Sequence, residues 1–242
     1  MTSIRSIGLG LGLLLALPSL AGAQDARLWD TVLVEYARPG GFDYEGVLED
    51  PEALRAQRAF IAQLATMPEE APLADWLNAY NALVVHAVLE RYPLDSVRSV
   101  TRFFRGIKYQ VAGKARTLDD LEHGIIRPRF KDPRIHVALN CGAKSCPPLH
   151  GRAFTSATLD QTLDELSRRA VRNPAFVKLH EDSIDLSKIF FWYSADFEEG
   201  SGSILNWLKQ YDTEGKLSAY GDSTKLRRMP YDWSLNRAPS AK

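Results

Sequence analysis

The residues best suited to chemistry lie close together in the segment from His136 to His150. A thiol attacks a carbonyl carbon as a thiolate, and a neighbouring imidazolium or ammonium group lowers its pKa. The pattern therefore predicts Cys141 as a nucleophile and His136 as its base. The predicted binding residues around them are Asn140, Lys144, Ser145 and Cys146.

Two asparagines, Asn78 and Asn81, lie three residues apart in an otherwise apolar segment. Positions i and i+3 of a helix share a face, so both amides can point at one neighbour. In one interpretation they orient the base or donate to a substrate carbonyl. In the other they clamp a neighbouring loop by bonding its backbone groups. Tyr80, which lies between them, is a predicted binding residue.

A second candidate base is His123, which follows Asp119 by four residues on a predicted helix. A carboxylate beside an imidazole raises its pKa and fixes its tautomer, which suits acid–base catalysis. The same pair is also a common feature of exposed helix surfaces. Glu122, the neighbour of His123, is a predicted binding residue.

The elements that must position these residues follow from the spacing of apolar side chains. The strongest helix prediction covers residues 73–92, where apolar residues recur at intervals of three and four. Further helices are predicted over residues 25–36, 51–67, 117–127, 156–172 and 203–211. Strands are predicted over residues 107–111, 134–140 and 231–236, and a hairpin over 176–186.

Helices before, between and after a few short strands predict an α+β fold. We expect a mostly helical single domain packed on a small, largely antiparallel sheet. The predicted strand over residues 134–140 brings one difficulty, because His136 and Cys141 fall on opposite faces of a continuous strand. They can cooperate only if the strand ends before Cys141.

The first 23 residues have the pattern of a secretory signal peptide. A cationic start with Arg5 is followed by an apolar run of about a dozen residues and by small residues at Ala21 and Ala23. We expect cleavage after Ala23. The run is too short for a spanning helix and is interrupted by Pro18. The mature protein is therefore expected to lie in the periplasm or outside the cell, with no membrane span.

Composition narrows the classes of function. Of 242 residues, 45% are hydrophobic, and 30 basic side chains balance 30 acidic ones. A chain this apolar is not disordered, and it lacks the basic field that nucleic-acid binding requires. No repeat or long linker interrupts residues 24–242, so we expect one domain. Its expected ligand is a small molecule or a peptide.

The two cysteines leave three interpretations open. An oxidising compartment favours a structural disulfide between Cys141 and Cys146, which is sterically feasible if a turn brings the Cα atoms within about 7 Å. The pair could also exchange disulfides, although its spacing is not the C-x-x-C of thioredoxin-like proteins. A metal site is the weakest interpretation, because two Cys and scattered His lack a recognisable zinc spacing. No metal and no cofactor are expected.

The sequence resembles the family known as domain of unknown function 547. The resemblance covers about residues 70–236, and its most distinctive element is Cys-Gly-Ala-Lys-Ser-Cys-Pro-Pro at residues 141–148. The matching segments are residues 76–82, 119–124, 132–149, 191–197 and 231–236. The family has no settled activity, and its bacterial members look like exported proteins.

Plant members of this family look as if they keep a counterpart of Cys141 and carry Ser in place of Cys146. The resemblance thus implies that a loop disulfide is not intrinsic to the domain, which makes Cys141 the better nucleophile candidate. It also weakens the case for His123, because the plant pattern need not keep this residue. Two hypotheses result. The first is a thiol-dependent hydrolase or transferase acting on an amide or ester. The second is a non-catalytic binding module with a structural disulfide.

Overall fold

The computed structural model describes residues 25–238. The predicted signal peptide and its cleavage site lie outside these residues. Among the residues that are described, no helix combines the length and apolar character needed to cross a membrane.

Helices make up most of residues 25–238. They are α1 (Ala26–Tyr36), α2 (Tyr44–Glu49), α3 (Pro51–Gln63), α4 (Leu73–Leu89), α5 (Phe103–Gly106), α6 (Leu118–Leu121), α7 (Arg127–Phe130), α8 (Leu159–Arg172), α9 (Lys188–Trp192), α10 (Ser194–Ser201) and α11 (Ile204–Gln210). Short 3-10 helices cover Leu64–Thr66, Val97–Ser99, Pro133–Val137 and Lys216–Ala219, and a π-helical turn covers Glu122–Ile126.

The strands are short and form three separate sheets within the described residues. They are β1 (Ala37–Arg38), β2 (Gly41–Phe42), β3 (Tyr109–Val111), β4 (Lys114–Arg116), β5 (Val177–Leu179), β6 (Ser183–Leu186) and β7 (Lys225–Arg228). The pairs β1–β2, β3–β4 and β5–β6 are antiparallel, and β7 joins β6 in parallel. The predicted mostly helical α+β fold is confirmed, with its strands divided among several sheets.

The central element is α4, in which fifteen of seventeen residues are buried. A helix that is apolar on all sides must be surrounded by other elements, and α1, α2 and α3 pack around this one. The helix therefore cannot move independently, and it holds any polar side chain that it carries in a fixed place.

A second group of buried apolar residues lies around the hairpin β5–β6 and the helices α9 to α11. Phe190, Phe197 and Trp207 pack on one another in tilted and edge-to-face orientations, with ring centroids 5.0 to 5.7 Å apart. Leu166 on α8 contacts both this group and the core around α4. The aromatic segment 191–197 is therefore positioned by a rigid group of buried apolar residues.

The predicted strand over residues 134–140 is wrong. Residues Pro133–Val137 form a 3-10 helix instead, and the Asp132 side chain caps it by accepting from Arg134 N. Pro133 favours this outcome, because its fixed φ suits the first turn of a helix and it has no N–H for a strand ladder. The chain therefore turns tightly between His136 and Cys141, and the expected separation of the two residues onto opposite strand faces does not occur.

The helix predicted over residues 117–127 is present, and Thr117 caps it. Its hydroxyl accepts from Asp120 N, and the Asp120 carboxylate accepts from Thr117 N. The helix widens into a π-helical turn at Glu122–Ile126 before continuing as α7. Such turns are frequent at functional sites.

The prediction of a regular strand over residues 231–236 is wrong. The segment is extended, but it makes only isolated bridges, from Ser234 to Ser96 and from Leu235 to Ala143. The two partners belong to different parts of the chain, so no continuous ladder can form. The segment nevertheless holds the loop that contains Ala143 against the body of the protein.

Candidate functional site

A cavity of about 760 Å³ opens between α5, the π-helical turn, the loop after His136, α9 and the C-terminal segment. Six of the residues predicted from the sequence line it, namely Tyr80, Glu122, His123, His136, Cys141 and Cys146. We call this space the central cavity. The structure thus brings together side chains that are up to 66 positions apart in the chain.

Glu122 is the buried carboxylate of the central cavity. Its Oε2 accepts a hydrogen bond of 3.0 Å from the hydroxyl of Tyr80, and its Oε1 accepts one of 2.6 Å from the hydroxyl of Tyr193. Each carboxylate oxygen therefore has a phenolic donor. These bonds stabilise a charge that burial would otherwise make costly.

The tyrosines around Glu122 remain protonated at neutral pH. Burial raises the pKa of Tyr80 and of Tyr193 well above the ordinary value, and the negative charge of Glu122 raises both further. Burial likewise raises the pKa of Tyr231. A phenol in this state donates hydrogen bonds and does not act as a base.

His136 and Asp196 form a hydrogen-bonded pair beside this cluster. The His136 Nε2 donates to Asp196 Oδ2 at 2.7 Å, and its ring stacks on Tyr193 with centroids 3.9 Å apart. Arg127 donates to both carboxylate oxygens of Asp196, at 2.7 and 2.8 Å. The pair therefore has a fixed orientation and a fixed His136 tautomer.

The charges of this pair are set by its surroundings. Burial lowers the pKa of His136, which keeps the imidazole neutral near pH 7. The hydrogen bonds from His136 and from Arg127 hold the pKa of Asp196 far below its usual range. Asp196 is thus ionised at neutral pH. The charge of Arg127 balances it, and both of its carboxylate oxygens have hydrogen-bond donors.

His123 lies at the edge of the central cavity and is about one-third exposed. Its Nε2 is 3.7 Å from Asp119 Oδ1, which agrees with the predicted i, i+4 pair. The guanidinium of Arg127 donates to His123 Nδ1 at 2.8 Å. Because arginine only donates, Nδ1 is the unprotonated nitrogen of this ring.

The two thiols are joined as a disulfide between Cys141 and Cys146, with Cα atoms 5.9 Å apart. The hydroxyl of Tyr231 lies 3.4 Å from Cys141 Sγ and 3.2 Å from Cys146 Sγ. The predicted structural bridge is therefore present, and both sulfurs belong to the cavity wall. In this state neither sulfur is a nucleophile.

Asn78 and Asn81 do not line the central cavity. The Asn78 amide pairs with the backbone of Phe154, at 2.8 Å in both directions. The Asn81 amide donates to Ala138 O at 3.0 Å and accepts from Asn140 N at 2.9 Å. Both amides clamp loops on α4, as one of the two interpretations predicted.

Three further predicted residues do not line the central cavity, and hydrogen bonds give them structural roles. The Asn140 side chain donates to Pro147 O at 2.6 Å and accepts from Gly142 N at 2.8 Å, which shapes the disulfide loop. Ser145 Oγ accepts from Asp232 N at 2.8 Å. Lys144 is exposed, and its backbone N–H bonds the C-terminal segment.

The aromatic and cationic residues of the cavity wall were not predicted from the sequence. Those that matter most are Arg98, Arg102, Lys188, Trp192, Tyr193, Tyr231 and Trp233. The unusual density of aromatic residues over 191–197 was one available signal, although core packing explained it equally well. Arg127 gave another signal, since it follows His123 by four residues on the same helix.

Within residues 25–238, no three His, Cys, Asp or Glu side chains are clustered as a metal ion would require.

Residues 64–169 match the family described as "Protein of unknown function, DUF547". No curated protein and no solved structure is similar enough to the chain to be matched. The matched region holds Tyr80, Glu122, His136 and both cysteines, whereas Tyr193, Asp196 and the aromatic wall lie after it. The motifs at residues 76–82, 119–124 and 132–149 lie within this match, which assigns residues 64–169 to the DUF547 family.

Proposed function

We propose that the protein binds a small molecule in the central cavity. The observation that carries this proposal is the composition of the wall, in which aromatic rings surround a few fixed polar groups. Ligand sites generally combine an apolar concave surface with a small number of oriented donors and acceptors. Here the polar groups are the Glu122 cluster and the phenol of Tyr231.

The aromatic side of the cavity is accessible as a binding surface. Trp192 is 47% exposed, although it packs against Tyr231 with ring centroids 4.7 Å apart and against Trp233 at 5.8 Å. An exposed tryptophan beside a cavity leaves apolar area that a ligand can cover. This arrangement supports stacking of a flat ligand on the indole.

A neutral fluorescent probe, N-phenyl-1-naphthylamine, tests the proposal. We expect its emission to rise with a saturable isotherm of one site per chain. Trp192→Ala should weaken binding about fivefold, because an aromatic pair contributes about 1 kcal/mol beyond the burial of its area. Phe191→Ala is the matched control, since this neighbouring aromatic residue does not line the cavity. Binding that is absent, or equally affected by both variants, would contradict the proposal.

A second candidate function is thiol-dependent hydrolysis or transfer in the reduced protein. It is favoured by one observation, that both sulfurs and His136 line the same cavity. A dithiol would reduce the disulfide to two thiols, and the Cys141 thiolate would then attack an ester or amide carbonyl. The alcohol or amine leaves as the thioester forms, and water or another acceptor completes the reaction.

Release of p-nitrophenol from p-nitrophenyl acetate tests this second candidate. The protein is treated with dithiothreitol, which is then removed by gel filtration. Burst kinetics in the reduced wild type and in Cys146→Ser, but not in Cys141→Ser, would support Cys141 as the nucleophile. Equal rates in all three proteins would exclude it, and the binding proposal would be unaffected.

We also propose that the chain is exported, on the strength of residues 1–23 alone. Expression in a Gram-negative host followed by mass spectrometry of the periplasmic fraction tests this. A mature chain that begins at Gln24 is the expected result. A full-length chain retained in the cytoplasm would contradict it.

A further inference from the structure

We infer that the ligand of the central cavity is a small organic anion with a flat apolar part. This inference rests on the proposed function and adds the chemical class of the ligand. Of the described residues that line the cavity, four are cationic and two carry carboxylates. The cations are Arg98, Arg102, Arg105 and Lys188, and the carboxylates are Asp119 and Glu122.

The two carboxylates are already engaged. Asp119 accepts a hydrogen bond of 3.0 Å from Arg105 and lies near His123. Glu122 accepts from two tyrosine hydroxyls. The tyrosines are neutral donors, so Glu122 keeps its negative charge, and the four cations exceed the two carboxylates by two positive charges.

The three cations other than Arg105 differ in whether their side chains already have a partner. The Arg98 guanidinium lies over the Trp233 ring, 5.2 Å from its centroid. The side chains of Arg102 and Lys188 have no hydrogen-bond or ion-pair partner within residues 25–238. Charged groups of this kind are available for an anionic oxygen of a ligand.

The backbone at Arg102 gives independent support. Its φ is 55°, in the left-handed region that a non-glycine residue seldom adopts. Residues held in such conformations cluster at ligand sites, where the surrounding structure must enforce them. Here the strained residue carries a guanidinium that lines the cavity.

The exposure of the lining residues indicates how the ligand would be oriented in the cavity. Arg98 and Arg102 are exposed, whereas Glu122 and His136 are buried. Exposed lining residues lie towards the opening of a cavity, and buried ones lie deeper. An anionic group would thus be bound near the opening, with the flat part between it and the tyrosine hydroxyls.

Two dyes that share a ring system test the inference. One is N-phenyl-1-naphthylamine, which is neutral, and the other is 8-anilinonaphthalene-1-sulfonate, which carries one negative charge. We expect the sulfonate to bind the wild type at least about fourfold more tightly than the neutral dye at low ionic strength, because two partly exposed ion pairs each contribute about twofold to fivefold. The advantage should shrink as salt is added.

Charge-removing variants locate the anionic group. Arg102→Gln and Lys188→Gln should each weaken sulfonate binding about threefold and leave the neutral dye unchanged. Arg55→Gln is the matched control, since Arg55 is an exposed arginine on α3 that does not line the cavity. Thermal unfolding of each variant shows whether the fold is retained.

The outcomes separate the two proposals. Equal affinity for both dyes, or an advantage of the sulfonate that Arg102→Gln and Lys188→Gln do not reduce, overturns the inference while the binding proposal stands. Failure of both dyes to bind overturns both.

Discussion

Two buried polar clusters occupy neighbouring parts of the same core, and they differ in what they bond. The amides of Asn78 and Asn81 on α4 bond backbone groups of two loops. The Glu122 carboxylate bonds the side chains of Tyr80 and Tyr193, and Glu122 lines the central cavity. Both clusters satisfy their polar groups, yet only the second one faces a space that a ligand can enter.

The difference indicates which buried polar residues hold the fold and which serve the site. Asn78 and Asn81 each fix a loop through its backbone, and neither lines the cavity in which a ligand would bind. A cluster of side chains on a cavity wall can exchange one partner for a ligand group. We therefore expect variants of the α4 amides to change stability, and variants of the cavity wall to change binding.

The largest effect is expected from Asn81→Ala. The change leaves Ala138 O and Asn140 N buried without a partner, and each such group costs about 1 to 3 kcal/mol. The free energy of unfolding should fall by about 3 kcal/mol, as measured by urea denaturation. Dye affinity of the folded protein should stay within twofold of the wild type.

Asn206→Ala is the matched control for this comparison, because Asn206 is an exposed asparagine on α11. Its effect on the free energy of unfolding should stay below about 0.5 kcal/mol. If Asn81→Ala were equally mild, the assignment of the α4 amides to the scaffold would be wrong.

A smaller loss of stability is expected when the disulfide is opened. A bridge between residues 141 and 146 closes a short loop, and the chain-entropy relation gives about 2 kcal/mol for its effect on the unfolded state. Cys141 and Cys146 are the two cysteines of the sequence, so dithiothreitol acts at this bond alone. Urea denaturation with and without the reductant measures the change, and identical midpoints would show that the bond contributes nothing.

The carboxylate of the cavity gives a still smaller effect, which concerns binding. Glu122→Gln removes a negative charge while keeping an oxygen acceptor and the shape of the side chain. Affinity for the anilinonaphthalene sulfonate should rise about threefold. In a partly solvated site, the repulsion between the Glu122 carboxylate and the ligand's sulfonate costs up to about 1 kcal/mol. The neutral dye should be unaffected; a parallel gain for both dyes would point to a change of shape instead of charge.

The pH dependence of stability gives the finest test of the His136 environment. Burial lowers the pKa of His136 in the folded state, so between that pKa and the unfolded value near 6.5 the unfolded chain binds more protons. Stability is then complete above about pH 6.5 and falls as the pH drops towards the folded pKa. His136→Gln should reduce this slope between pH 7.5 and 5.

The slope should not vanish in His136→Gln, because burial also lowers the pKa of His86. Asp196 contributes in a different window. Its depressed pKa adds stability that is lost only below its unfolded pKa of about 3.9. Urea denaturation at several pH values measures the slope, and an unchanged slope in His136→Gln would mean that this imidazole titrates normally.

Helices were predictable where apolar spacing was strong, as in α4, α8 and the segment that Thr117 caps. The 3-10 helix Pro133–Val137 was not, because alternating apolar residues suggested a strand while a proline and an aspartate cap decided otherwise. Local turn chemistry was stronger there than the apolar pattern.

The site was also predictable only in part, because a sequence pattern can fit two structural interpretations. Tyr80, Glu122, His123, His136 and the cysteines were selected because their types and spacing suit chemistry. The partners that complete the cavity, above all Tyr193, Asp196 and Tyr231, come from segments whose aromatic content is equally typical of a core. Only tertiary packing shows that these rings surround a space.

The most direct test of the account is a crystal structure of the protein soaked with 8-anilinonaphthalene-1-sulfonate. We expect the naphthalene ring against Trp192 and Tyr231, and the sulfonate within hydrogen-bond distance of Arg102 or Lys188. Dye bound elsewhere on the chain, with the central cavity left to solvent, would contradict the claim that this cavity is the functional site.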